Sequence, residues 1–264
     1  MQIPNPGLGF WLIKKEDAKR VFLEGYEIGY RHFDTAIAYQ NESEIGEAIK
    51  ELNVPREEYW LTSKIPAEIK SYEKAKKAID ESLERLGVSY LDLMLIHAPK
   101  PWALMSLPGP RFKKGNREVW KALVEAKKAG KIKNIGVSNF NIKDIQNITD
   151  YSSEPIYANQ IEIHVGCVPI DVIEYCKKNN IVVQAYSPLG VGTLINNKEI
   201  EEVAKRNNVS VARVCIKYTD MLGTIPLPRS KSYEHMKDNF FYDFDLSKED
   251  KEILDNIKVS KITL

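Results

Sequence analysis

Four side chains along the chain carry the right chemistry to work together. Asp34, Tyr39, Lys64 and His97 are a carboxylate, a phenol, an ammonium and an imidazole, and each stands at or just beyond the end of a short apolar segment. A tyrosine with a pKa of about 10 gives up its proton reluctantly near neutrality. A lysine cation beside it favours the phenolate, and a shift of about 2 units corresponds to roughly 2.7 kcal/mol. A buried lysine needs a carboxylate in turn, which Asp34 can supply. His97 can hydrogen-bond and orient the oxygen that receives the proton. The combination is suited to protonating a developing alkoxide: Tyr39 as general acid, Lys64 as the group that lowers its pKa, Asp34 as counter-charge. Singly, each residue has an ordinary reading, such as a structural histidine or a lysine reaching for water. The convergence of types carries the case.

Such a site needs rigid elements under it. Strand-like segments read at 7–11, 31–36, 59–65, 91–97, 134–139, 159–163, 182–188 and 223–229. Amphipathic stretches lie between them. In "SYEKAKKAIDESLERLG" (71–87), Ala75, Ile79, Leu83 and Leu86 share a face and Gly87 stands at the expected C-cap. "NREVWKALVEAKKAGK" (116–131) repeats the design, with Gly130 as its stop. Strands alternating with helices imply parallel pairing, and eight such units imply closure. An open doubly wound sheet is the competitor, but no G-x-G-x-x-G follows any strand; "LGVGT" (189–193) lacks the third glycine. The expected fold is α/β, an (α/β)8 TIM barrel forming one domain over residues 1–264. In such barrels the reacting groups collect at the carboxyl ends of the strands. Besides the four residues above, that rule brings Ser138, Asn139, Asn159, Gln160, Tyr186, Ser187 and Arg229 to one rim.

With 38 Lys plus Arg against 37 Asp plus Glu, the net charge of +1 gives no electrostatic case for nucleic acid or an acidic membrane. No apolar run approaches the roughly 20 residues of a spanning helix, and "MQIPNPGLGFWLIKK" lacks the charge order of a signal peptide. Cys167, Cys176 and Cys215 lack CxxC spacing and read as reduced thiols. His164 and Cys167 form an H-x-x-C without a second pair, so no metal is expected. A cytoplasmic protein is the expectation.

Proton donation alone reduces nothing, so a hydride donor must bind. Barrel phosphate sites lie after the seventh and eighth strands. There Arg229, Ser230 and Lys231 precede a helix start, and Tyr186 could stack on a flat heterocycle. Taken together, "GYRHFDTAIAYQNESEIGEAI", "LTSKI", "DLMLIHAP", "GKIKNIGVSNF", "NQIEIH", "QAYSPLG" and "IPLPRS…DNF" resemble the aldo-keto reductase superfamily over nearly the whole chain, on the branch similar to 2,5-diketogluconate reductase and prostaglandin F synthase.

The resemblance implies a monomeric barrel reducing small carbonyl compounds with NADPH, NADH being the alternative, through a tetrad of Asp34, Tyr39, Lys64 and His97. By carry-over, Ser138, Asn139 and Gln160 hold the carboxamide and Tyr186 stacks on the nicotinamide. Ser187 and Leu189 meet the pyrophosphate, Arg229, Ser230 and His235 the 2′-phosphate end with Lys231 in support, and Asn239 the adenine. Trp11, His97 and Trp102 would line the substrate pocket. Departures from the family pattern are Phe10 before Trp11, Gln40 after the tyrosine and Ala98 after His97, the last expected to widen the pocket. Arg229 replaces the usual lysine and His235 the usual arginine, which weakens the preference for NADP over NAD. The alternatives are a barrel aldolase with Lys64 as Schiff-base nucleophile, and a non-catalytic relative that binds nicotinamide nucleotide.

Overall fold

A computed structural model describes residues 2–109 and 112–259. Eight strands pair in sequence order, all parallel: β1 (Leu8–Gly9), β2 (His32–Asp34), β3 (Trp60–Ile65), β4 (Leu91–Ile96), β5 (Ile132–Ser138), β6 (Ala158–Glu162), β7 (Val182–Tyr186) and β8 (Ile225–Leu227). The N–H groups of Gly7 and Gly9 donate to Pro226 O (3.1 Å) and Pro228 O (2.9 Å), joining the first strand to the last and closing the barrel. Each of the eight expected segments overlaps its strand; β5 begins two residues and β6 one residue before the expected start. Asp34, Lys64, Ser138, Gln160 and Tyr186 lie at the last residues of their strands or within two residues of them.

Helices cover the outside: α1 (Lys15–Ile28), α2 (Glu42–Leu52), α3 (Tyr72–Leu86), α4 (Lys113–Lys128), α5 (Ile142–Thr149), α6 (Ile170–Lys178), α7 (Lys198–Arg206), α8 (Val211–Met221), α9 (Tyr233–Phe240) and α10 (Lys248–Asn256). Helix α3 buries Ala75, Ala78, Ile79 and Leu86 on one face, and Gly87 ends it at φ 63°, a left-handed cap that a side chain would strain. Helix α4 begins three residues before the sequence pattern suggested, at Lys113, and buries Val119, Trp120 and Leu123. Helices α2 and α3 approach closely at Gly46, where an added Cβ would lie 2.3 Å from Arg85 O. That approach puts the start of α2 against the end of α3.

The main core lies between the strands and the surrounding helices, and a second apolar cluster joins α7, α8 and α10. At the amino end of the barrel, Ile3 packs with Trp60, Leu93, Leu95 and Ala158 and plugs the cylinder. Buried His32 sits at this end, its Nδ1 3.2 Å from Pro4 O and Nε2 3.5 Å from Thr62 Oγ1. Burial holds its pKa down at about 4, so the ring is neutral. None of the three cysteines forms a disulfide. His164 and Cys167 close a tight turn through a pair of backbone hydrogen bonds, and among the described residues no cluster of three His, Cys, Asp or Glu could hold a metal ion. No helix among them is long and apolar enough to cross a membrane.

Candidate active site

Successive residues of a strand face opposite ways. On β3, Ser63 turns outward to the helices and Lys64 inward to the barrel, where none of its surface is exposed. The Lys64 ammonium donates to Asp34 Oδ1 (2.5 Å), to Thr35 O (2.8 Å) and to Tyr39 Oη (3.4 Å), which uses all three of its protons. The other Asp34 oxygen accepts from Gln160 Nε2 (2.7 Å), whose second proton goes to Gln184 Oε1 (3.0 Å). Tyr39 comes at the end of a single helical turn after β2, and Gln40 then takes a left-handed φ of 58° to enter α2. Asn41 holds this loop. Its Nδ2 donates to Phe10 O (3.1 Å) and Ile13 O (3.0 Å), and its Oδ1 accepts from Thr35 Oγ1 (2.8 Å). The ring of His97, directly after β4, meets the Tyr39 ring edge-on at 5.5 Å and the Trp102 ring at 5.1 Å. The geometry thus brings Asp34, Tyr39, Lys64 and His97 together.

The electrostatics correct one expectation. The Tyr39 phenol is not shifted down by Lys64; burial, and then the charge of Asp34, hold its pKa well above the usual value. Burial leads because the phenol lies out of water within the barrel mouth, and Lys64, 2.5 Å from Asp34 and 3.4 Å from the phenol, does not offset it. Lys64 itself is shifted down by burial, against the pull of Asp34. The phenol therefore holds its proton firmly in the resting site. Burial, then Lys64, keeps His97 well below its ordinary pKa, so its ring is neutral; Nδ1 is buried without a partner among the described residues.

A second chain of bonds lies on the far side of the rim. Ser138 Oγ donates to Gln160 O (2.8 Å), Asn139 Nδ2 to His97 O (3.0 Å), and Tyr186 Oη to Asn139 Oδ1 (2.8 Å). Asn139 (φ 61°) and Ser187 (φ 52°) are left-handed, which turns the chain sharply at the ends of β5 and β7. Leu189 packs on the apolar cluster of α7, α8 and α10.

The loop from β8 to α9 is arranged differently from the expected anion cradle. Ser230 Oγ accepts from Ser232 N (3.1 Å) and Ser232 Oγ from His235 N (3.5 Å), so the start of α9 is capped from within. Lys231 Nζ is drawn to Asp17 Oδ2 on α1 (3.8 Å), while Arg20 of α1 donates to Lys231 O from both terminal nitrogens (3.1 Å each). Arg229 makes no hydrogen bond or ion pair among the described residues, although partial burial already lowers its pKa. It is the cation there without an anion. His235 is exposed and Asn239 buried. Trp102 is exposed and edges onto His97, and Trp11 is half-buried.

Sequence reasoning missed two groups. Gln184, inward on β7 and fully buried, extends the Asp34–Gln160 chain. Glu42, at the start of α2, accepts from Ser63 Oγ and Ser82 Oγ (2.6 Å each) at one oxygen and from Arg85 Nε (2.9 Å) and Nη2 (2.8 Å) at the other. The shared inward parity of Gln184 and Tyr186, with Ala185 facing the other way, was available from the strand pattern; the partners of Glu42 were not.

A parallel barrel with a phenol, ammonium and carboxylate joined at its carboxyl end defines a class of barrel oxidoreductases that act on carbonyl and alcohol groups. The Aldo/keto reductase family model matches residues 5–259, and the chain belongs to that family. It is 38% identical to glycerol 2-dehydrogenase (NADP(+)) of Saccharomyces cerevisiae, across 98% of this chain and 89% of that one. It is 35% identical to glyoxal reductase of Bacillus subtilis, across 97% and 89%. Among solved structures, the aldose reductase from Schistosoma japonicum superposes with a TM-score of 0.89 at 33% identity, covering 100% of this chain and 92% of that one. The protein is a nicotinamide-dependent oxidoreductase of this family. With every Lys64 proton engaged, the amine offers no lone pair for an imine, and the aldolase alternative is not favoured.

Proposed function

We propose that the protein reduces short aldehydes and ketones to alcohols with NADPH as the preferred donor, and that Tyr39 is the general acid. The observation that carries this reading is the Lys64 ammonium shared between Asp34 and Tyr39 Oη beside a neutral His97. A bound reduced nicotinamide supplies the hydride, which no side chain of the protein can provide. Once hydride reaches the carbonyl carbon, the oxygen carries the electron pair released from the C=O bond. Tyr39 Oη gives that oxygen its proton. The phenolate left behind then lies 3.4 Å from an ammonium already in place, so Lys64 acts on the product of proton transfer more than on the resting phenol. The His97 ring, neutral through burial, donates one hydrogen bond to the same oxygen and orients it.

The residues present fit the cofactor. Unpaired Arg229 suits a phosphate. Both amide hydrogens of Gln160 are directed inward, which leaves its oxygen for the carboxamide N–H. The ring of Tyr186, tethered by its hydroxyl to Asn139, makes no aromatic contact among the described residues and offers a face to the nicotinamide. Ser138 and Asn139 support this corner, while Ser187 and the backbone at Leu189 border the pyrophosphate path. His235 and Asn239 flank the adenosine end, and Trp11 and Trp102 the carbonyl compound. Two of the relatives, a glycerol 2-dehydrogenase and a glyoxal reductase, are named for small polar compounds, which favours such substrates here.

Loss of NADPH absorbance with glyoxal tests the assignment. Tyr39→Phe should lower kcat by about 10²–10⁴-fold, with NADPH still quenching tryptophan fluorescence at the same dissociation constant. Turnover near the parent rate would remove Tyr39 as the acid. Arg229→Ala should weaken NADPH by about 10-fold, the scale of one charged hydrogen bond, and NADH hardly at all. Equal weakening would separate Arg229 from the 2′-phosphate.

A further inference from the structure

The amide of Gln184 has an unusual arrangement. The side chain is wholly buried, its Oε1 accepts from Gln160 Nε2 at 3.0 Å, and its own Nε2 is buried without a partner among the described residues. Turning the Gln184 amide over would face one NH2 against another, so its orientation is set by Gln160 at the expense of its own donors. Gln160 is 2% exposed and is bound on two sides, to Asp34 Oδ2 at 2.7 Å and to Gln184 Oε1. Both of its protons are thereby committed below the rim.

We propose that Gln184 is a positioning residue for cofactor recognition: by taking the second Gln160 proton, it makes Gln160 a pure acceptor at the barrel mouth, selective for the N–H of the nicotinamide carboxamide. This rests on the assignment of Gln160 to the carboxamide above. Asp34 alone cannot enforce the acceptor. Without Gln184, the Gln160 amide can keep one N–H on Asp34 and swing the other toward the mouth, presenting a donor where an acceptor stood. A carboxamide and a plain acyl group, which differ by an NH2, would then bind alike.

The test uses the reduced 3-acetylpyridine analogue of NADPH, in which a methyl group replaces the carboxamide NH2, and compares dissociation constants by fluorescence titration. The parent protein should prefer NADPH by about 10-fold, the scale of one ligand hydrogen bond. Gln184→Met, near in volume but with no comparable acceptor, should bring that ratio close to one, as Gln160→Met does, and the double variant should add nothing. Gln184→Glu keeps an oxygen facing Gln160 and should restore the preference, a rescue that loss of packing would not predict. If Gln184→Met kept the parent ratio while Gln160→Met lost it, Gln184 would be a scaffold residue only and the proposal would be overturned. If Gln160→Met itself kept the ratio, the assignment of Gln160 to the carboxamide would fail first. Should Gln184→Met not fold, Gln184→Leu gives the same comparison.

Discussion

Two buried carboxylates lie on opposite sides of the same strand, and they have opposite fates. Glu42, on the helix side of β3, is met by two serine hydroxyls and by the Arg85 guanidinium at two nitrogens. Every partner is protein, and the network closes on itself. Asp34, on the barrel side, is met by Lys64 and Gln160, and from Lys64 the chain runs on to a phenol through a long 3.4 Å contact at the mouth. Glu42 is the more fully bonded group and has no contact with the phenol or the imidazole at the mouth among the described residues. A buried polar network becomes a site where its last member still has a proton to give and nothing of the protein's own to receive it.

That contrast can be broken experimentally. The largest effect is expected at Lys64. Lys64→Met should leave Asp34 as an uncompensated buried charge, at about 3–5 kcal/mol of stability, and lower kcat by at least about 10³-fold; urea melts and glyoxal turnover measure the two. A variant that unfolds more easily yet turns over normally would detach the ammonium from the reaction. Glu42→Gln should cost less, about 2–3 kcal/mol, because Arg85 remains one-third exposed and can turn to water. Its kcat should stay within about 3-fold of the parent, less than RT ln 3 of barrier. A kinetic defect comparable to that of Lys64→Met would erase the distinction between scaffold and site.

The smallest effect concerns the two buried imidazoles, which repeat the contrast. His32 has contacts at both ring nitrogens, whereas His97, its ring edge-on to that of Tyr39, leaves Nδ1 unpartnered among the described residues. The folded His32 takes a proton only near pH 4, while the unfolded chain takes it at 6.5. The unfolded state therefore binds more protons in between, and stability is full above 6.5 and declines as the pH falls toward 4. From pH 7 to pH 5 the loss from this one ring is about 2 kcal/mol. His32→Gln should remove that part of the slope in denaturant midpoints, leaving the decline from the remaining groups. An unchanged slope would mean that His32 is not held neutral.

Much of this was legible in the sequence because it depends on periodicity and on strand ends. The eight strands, the α3 stop at Gly87 and the meeting of Asp34, Tyr39, Lys64 and His97 follow from alternation and from where barrels keep polar groups. The direction of the Tyr39 shift did not follow, because it turns first on how completely the packed fold buries the phenol and then on the charge of Asp34. Nor did the diversion of Lys231 to Asp17, since only the packed position of α1 brings residues 214 apart in number to one place. Glu42 was hidden for a related reason. An acidic residue in the first turn of a helix is ordinary, and its burial depends on how closely Gly46 lets α3 approach.

One small amide has a wider reach than its size suggests. Because Asn41 grips the carbonyls of Phe10 and Ile13 with one end and Thr35 with the other, the lip carrying Trp11 and the backbone leading to Tyr39 are fastened together. Reshaping that lip would also tug on the backbone that carries Tyr39, the proposed acid. Under the proposed roles, substrate range and turnover rate are mechanically linked on the Trp11 side of the mouth, whereas Trp102, on a separate loop, has no such tie to the backbone of Tyr39.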